Sequence, residues 1–265
     1  MKFLIFGDVV GKMGRAVVKH FLPLWREETS ADLILINAEN LAHGAGATPK
    51  TIQEMMAVGV DVFTGGNHIF NKPDVQKVFT EDVVPLLRPA NYAAGTAGRG
   101  YVIVEAAGRR VLIVNLVGQV FMKEEVGNPF TALDDILKMP DNAKVDAVVV
   151  DFHADASSER VALGWFAAER GVSCFYGTHT HIPSADARIL PDSGCAYVTD
   201  IGMTGARDAC IGVDKDVVIR RFLTQSPEKF QWPETGVAVA RAISVTIDDD
   251  GKAVEIKRLE GEVEV

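Results

Sequence analysis

The sequence predicts an α/β fold built as a four-layer α/β/β/α sandwich of mixed sheets. Three observations predict it. Up to about residue 180, short apolar runs alternate with helix-patterned segments, the order that yields parallel strands. Two other stretches, 101–116 and 237–259, place neighbouring apolar runs around a tight turn, which is the mark of antiparallel pairing. With 265 residues, 48% of them hydrophobic, and no Pro/Gly/Ser linker or shift of composition, the chain reads as one domain over 1–265, large enough to bury two sheets packed face to face.

The first strand is expected over 1–6, running into Gly7 and Asp8. Its apolar run is too short to span a membrane and carries no cleavage site, so no export signal is read there. Helical spacing follows over 14–27, then a strand over 33–36 that ends in Asn37, Ala38, Glu39 and Asn40. Thr48 as N-cap and Pro49 after it open a helix reaching residue 57. The strand over 60–63 leads into Gly65, Gly66, Asn67 and His68, and a weaker helix covers 72–80. Strands over 101–105 and 111–116 meet at Gly108, and a short helix covers 131–138. The strand over 145–150 ends in Asp151, Phe152 and His153. A helix over 157–170 is stopped by Gly171, and a buried strand over 172–176 runs into Gly177, Thr178, His179, Thr180 and His181. Cys195 starts a further strand. The last two, over 237–247 and 253–259, flank the turn residues Asp248, Asp249, Asp250 and Gly251. Trp25 and Trp165 fall on helix faces and are expected in the core, while Trp232 lies in a Phe/Pro-bearing loop that reads as a contact surface.

The net charge of −9, with no run of Lys or Arg, argues against binding polymeric nucleic acid by phosphate neutralisation. Small anionic substrates remain open, because bound cations invert the local field. Cys174, Cys195 and Cys210 form no CxxC pair, and the first two sit in apolar strands. A reducing cytoplasm is the expected setting.

Chemistry concentrates where apolar runs end. Five strand ends deliver Asp8, Glu39 with Asn40, Asn67, His153, and His179 with His181, and four of the six histidines lie in these loops. Taken singly, Asp8 reads as a turn or cap residue, and His153 as readily as a structural histidine as a ligand. Together they read as one site, since ligands in open α/β sheets bind beyond the carboxyl ends of the strands. Alternation across His179 and His181 aims both imidazoles one way if strand geometry persists, and Gly177 is expected to let the backbone turn close to a ligand. Carboxylate, amide and imidazole donors in this mixture suit two borderline metals, with a carboxylate such as Glu39 bridging them.

The segments GDVVGKMGR, GNH at 66–68, the lone His153 and GTHTH at 177–181 resemble the calcineurin-like metallophosphoesterase superfamily. More narrowly, NAEN with HGAG downstream, LRPANY, NPF, DFHADASSE and YVTDIGMTG resemble its YmdB-like branch of bacterial phosphodiesterases, over nearly the whole chain. Two positions depart from the general pattern and match that branch. Val10 stands where a histidine ligand is usual, and Glu39, with Asn40 beside it, stands in place of the bridging aspartate.

The resemblance implies Asp8, Glu39, Asn40 and His181 around one metal, and Glu39, Asn67, His153 and His179 around the other. It leaves His68 free beside the phosphate as the general acid for the leaving alkoxide. The implied cofactors are two divalent or trivalent ions, iron or manganese, with zinc as the other option. The implied activity is hydrolysis of small 2′,3′- or 3′,5′-cyclic nucleotides by a metal-activated water. A nucleotide or phosphoprotein monoesterase is the alternative enzyme, and a metal-binding regulatory module acting through a protein partner is the alternative outside catalysis. His43 beside Gly44 and Gly46, Arg88 before Pro89, and Thr204 on a Gly-flanked loop are lesser candidates for substrate contact; a flexible loop and a loop anchor are the plain readings of the first two. The expected partner is a small phosphate ester, with no polymeric nucleic acid and no membrane. The reading leaves room for a homo-oligomer and for a protein partner in RNA processing or signalling.

Overall fold

The computed structural model describes residues 1–81 and 84–265. β1 (Lys2–Asp8), β2 (Leu33–Asn37) and β3 (Val62–Thr64) pair in parallel, joined through α1 (Gly11–Thr29) and α2 (Pro49–Met56). α3 (Val75–Glu81) leads to the antiparallel hairpin of β4 (Tyr101–Ala106) and β5 (Arg109–Val117). β5 then runs parallel with β6 (Ala147–His153), β7 (Cys174–Thr178) and β9 (Cys195–Val198), with α4 (Pro129–Leu137) and α5 (Ser157–Ala168) in the crossovers. β8 (Arg188–Leu190) pairs antiparallel with β9. β10 (Gly205–Ala206) and α6 (Lys215–Thr224) precede the long C-terminal hairpin of β11 (Val237–Ile247) and β12 (Ala253–Glu264).

These strands make two mixed sheets, one ordered β10-β11-β1-β2-β3 with β12 on β11, the other β4-β5-β6-β7-β9-β8. β11 is long enough to serve two neighbours on one side. Ala238 and Val239 pair with β10, and residues 242–246 pair with β1.

Period-two alternation assigns each apolar residue to a layer. Phe3, Ile5, Leu33, Leu35 and Val62 meet Val111, Ile113, Val149, Cys174, Tyr176, Ala196 and Val198 between the two sheets. Leu4, Phe6, Ile34, Ile36 and Phe63 face outward against α1 and α2 residues such as Val17, Leu22, Ile52 and Met55. Leu112, Val114, Val150, Phe152 and Phe175 pack outward against Leu133, Ile136, Leu163 and Ala167 of α4 and α5. Strands covered on both faces read as unbroken apolar runs, and three clusters between four layers make the α/β/β/α sandwich.

Helix bounds differ from the sequence expectation where caps decide. α1 begins at Gly11, three residues earlier than its spacing indicates, because the Gly11 amide donates to the Asn40 carbonyl directly after β1. Asn128 accepts from the amides of Phe130 and Thr131 and so starts α4 at Pro129. The expected core place of Trp165 is not observed. It lies on the outer face of α5 and is 40% exposed, whereas Trp25 is buried on Phe6 and Phe21. α6 is not visible in the pattern because Val217 is its one buried residue. Among the described residues no helix is long and apolar enough to cross a membrane.

Candidate metal centre

The site grows out of the alternation that builds the inter-sheet core. One step beyond the last apolar row, the inward positions of five strands become polar: Asn37, Thr64, Asn115, Asp151 and Thr178, all fully buried. Asp151 anchors this layer. Its carboxylate accepts from the Thr64 hydroxyl, from Asn37 Nδ2 at 3.1 Å and from the Thr178 hydroxyl at 2.7 Å, joining strands of both sheets. Asn115 accepts from the Gly65 amide at 3.0 Å, holding the turn that carries Asn67 and His68.

The next step along each strand brings the candidate ligands. Single ligating atoms of Glu39, His153 and His179 lie within 4.8 Å of one another. His153 Nε2 is 3.2 Å from Glu39 Oε2, 3.1 Å from Asn67 Oδ1 and 3.0 Å from His179 Nδ1. The opposite ring nitrogen, Nδ1, is 2.9 Å from the Thr178 hydroxyl. Through that hydroxyl, Asp151 fixes the imidazole plane, the arrangement by which ligating histidines are oriented. Gly66 permits the crowding, since a Cβ there would collide with Glu39 Oε2 and the His153 ring.

Beside this ring lie two buried oxygens without a hydrogen-bond partner, Asp8 Oδ1 and Asn40 Oδ1. Asp8 Oδ1 is 3.8 Å from His181 Nε2 and 3.8 Å from His153 Nδ1. The other oxygen of Asp8 accepts from the His179 amide at 3.0 Å. Asn40 spends its amide nitrogen on the Gly44 carbonyl at 2.9 Å, within the curled loop after Glu39, and this leaves its oxygen unpartnered. Buried acceptors are rarely left unpaired in folded proteins. Two of them beside an imidazole and a carboxylate are the donor set a cation takes, so the residues fit a metal here as well as at the ring.

Charge in the cluster points the same way. Burial alone would raise the Glu39 pKa, yet His153 and His68 hold it well below the usual carboxylate range. Burial pushes Asp8 up, and Asp151 up to about 7. Burial also disfavours protonated His153, but Glu39, Asp8 and Asp151 draw it up to about 9. Burial and the neighbouring His153 push His179 down to about 3. The hydrogen bond to Glu39 draws His68 upward. The buried carboxylates crowded around His153 make a field that favours positive charge, the field a cation would satisfy.

His68 lies at the rim, with Nδ1 3.2 Å from Glu39 Oε1 and its side chain 41% exposed. It lines a pocket of about 400 Å³ together with Asn67, Asn71, His179 and residues 121–124. The remaining candidates have other partners. The Arg88 guanidinium donates to the carbonyls of Pro89, Ala90 and Thr96, which makes it an anchor of its loop. Thr204 is buried, exchanges hydrogen bonds with the Arg241 backbone, and fastens the turn after β1 through the Asp8 carbonyl and the Val10 amide. His43 is exposed on the loop after Glu39, against which the Trp232 indole packs at Gly44.

The strand alternation expected across 177–181 is not what aims the histidines. β7 ends at Thr178, and His179 and His181 take positive φ values of 100° and 66°. The loop is shaped instead by a buried ion pair. Arg160 of α5 lies 2.7 Å from Asp200 and donates to the carbonyls of Thr178, Thr199 and Ala154. Asp200 accepts in turn from the Thr180 hydroxyl at 2.7 Å. Gly177 is required by protein rather than ligand, because a Cβ would strike the Thr199 carbonyl. Sequence reasoning passed over Asp151, Thr178, Arg160 and Asp200. The first two could have been found by continuing the inward parity of Val149 and Tyr176; an arginine amid the apolar spacing of α5 was the signal for the pair.

A family profile described as YmdB-like protein matches residues 4–259. The chain is 40% identical over 260 residues to the 2′,3′-cyclic-nucleotide 2′-phosphodiesterase of Bacillus subtilis (strain 168), covering 98% of this chain and 96% of that protein. A crystal structure of a protein from Thermus thermophilus is similar with a TM-score of 0.92 and 35% identity, covering 99% of each chain. A phosphatase of Mycoplasma pneumoniae is similar with a TM-score of 0.91 and 35% identity, covering 100% of this chain and 94% of that one.

Proposed function

The chain belongs to the YmdB-like branch of the calcineurin-like metallophosphoesterase superfamily and is a metal-associated hydrolase of phosphate esters, and from that premise we propose that it is a dinuclear phosphodiesterase that opens small cyclic nucleotides. The observation carrying this reading is the convergence of the Glu39, His153 and His179 ring with the unpartnered oxygens of Asp8 and Asn40. Asp8, Glu39, Asn40 and His181 would hold one ion, and Glu39, Asn67, His153 and His179 the other. Iron, manganese or zinc suits three imidazoles among seven donors better than magnesium does. When bound, such a pair neutralises phosphate oxygens and brings the pKa of a water toward neutrality.

The protein's own groups supply the rest. Glu39, anionic and fully buried, keeps negative charge between the two sets of donors. His68 faces the pocket and carries the proton that the departing alkoxide needs. Asp151 and Thr178 hold His153 in one orientation. A diester is favoured over a monoester by charge. Lys123 and Glu124 cancel in the pocket lining, and of the cations near these loops in sequence Arg88 is engaged by carbonyls and Lys12 by Glu234.

Comparing kcat/KM for a cyclic nucleotide with that for each of its ring-opened monophosphates, at metal saturation and neutral pH, tests the proposal. Faster cleavage of the cyclic ester is expected. A clear preference for the monophosphates would make the protein a phosphatase, and no turnover of any ester by the metal-loaded protein would favour a regulatory role.

A further inference from the structure

The segment between β5 and α4 is tied at both ends and open in the middle. The Gly118 amide donates to the His153 carbonyl at 3.0 Å, the Gln119 amide donates to Glu159 at 3.0 Å, and Gly127 and Asn91 bond each other's backbone and side chain. Between these ties residues 121–124 wall the pocket whose floor is Asn67, His68 and His179. Two features of the wall stand out. Phe121 is 81% exposed and sits at φ 64°. An aromatic residue in the left-handed region, unburied, carries backbone strain with no packing in return, and such outliers gather at functional sites. The second feature is Glu124, whose Oε2 is buried and has no hydrogen-bond partner.

The two features ask for different things of a ligand. An exposed ring offers a flat apolar face, and a buried carboxylate oxygen asks for an N–H or O–H donor while repelling phosphate. A nucleoside supplies both, and the pocket is continuous with the ring of ligands through His68 and His179. We infer that this pocket is a nucleoside subsite, in which the base stacks on Phe121 and Glu124 Oε2 accepts a hydrogen bond from a base amino group or a ribose hydroxyl. The inference rests on the phosphate-ester reading of the neighbouring ring, which places the phosphate on the His68 side and the rest of the nucleotide beneath the 118–127 loop.

Two measurements test it. In the first, steady-state kinetics compare adenosine 2′,3′-cyclic phosphate with glycerol 1,2-cyclic phosphate, which has no base. Phe121→Ala is expected to raise KM for the nucleotide about tenfold to a hundredfold, at least tenfold more than for the glycerol ester, with kcat changed far less; Phe121→Tyr restores the KM. Equal effects on both esters, or none, would overturn the subsite. The second measurement is equilibrium binding of adenosine, which carries no phosphate and needs no turnover. Phe121→Ala and Glu124→Ala are each expected to weaken it about tenfold or more. Unchanged adenosine binding in both variants overturns the inference even if the cyclic nucleotide is cleaved. If no cyclic nucleotide is turned over, the proposed function fails, and adenosine binding that depends on Phe121 still upholds the subsite.

Discussion

His68 differs from the buried histidines beside it in facing open space, with 41% of its side chain exposed against 0% for His153 and 10% for His181. A group so placed can meet substrate without surrendering a ligand. His68→Ala should keep its metal content and lose a factor of about 10² to 10⁴ on esters with poor leaving groups. Activated aryl esters, whose leaving oxygen needs no proton, should lose much less. Equal losses on both, or loss of metal, would reassign the residue. His153 yields a prediction about the protein stripped of metal. Its pKa is raised from the ordinary 6.5 to about 9, so the stability it contributes is complete below about pH 6.5 and is lost as the pH climbs through 9. Asp151, pushed up to about 7, gives up its proton in the lower part of the same window and adds to the fall in stability there. Thermal melts of stripped protein should therefore fall between pH 7 and 9, while melts with metal bound should stay nearly level, because ligation already requires the imidazole neutral. Parallel slopes for the two forms would show that no proton is stored there. The candidate ligands were legible as residue types at strand ends. The supports beneath them were passed over, because Asp151 and Thr178 look like ordinary turn residues unless the inward parity of Val149 and Tyr176 is carried one step further.

Among the elements, the loop after β7 shows how far local pattern can reach. GTHTH announces its chemistry, yet its geometry is imposed from elsewhere, by Arg160 on α5 and Asp200 after β9. Removing one member of a buried pair leaves the other charge uncompensated, at a cost of about 3–5 kcal/mol. Arg160→Met should lower unfolding stability in urea by about that amount and weaken retention of the metal at His179 against a chelator. Adding Asp200→Asn should recover part of the stability. A single variant within ~0.5 kcal/mol of the parent would mean the pair is dispensable. The strands and the long helices were readable because their patterns are periodic and buried. β8, β10 and α6 were not, since the strands have three and two residues and α6 buries one side chain, too little for any period to register.

For the whole molecule, burial on both faces is what made the sandwich legible, since strands covered twice lose their polar alternation. Which strands neighbour which was not legible, and the arrangement divides the site. β4 to β9 form the second sheet from one continuous stretch and bring His153 and His179. The first sheet brings Asp8 and Glu39, and it sets β1 between β2 and β11, with Lys2 opposite Thr246. Pairing partners so far apart along the chain form late, because the intervening loop must close before the contact repays its entropy. In refolding followed by pulsed hydrogen exchange, amides of β5, β6 and β7 should gain protection before those of β1; simultaneous protection would contradict this. The β1–β11 seam thus makes the metal centre a checkpoint on the chain's own assembly. Of the seven candidate donors, His153, His179 and His181 come with the second sheet and Asp8 rides on β1, so the full set exists only in a chain whose first sheet has closed.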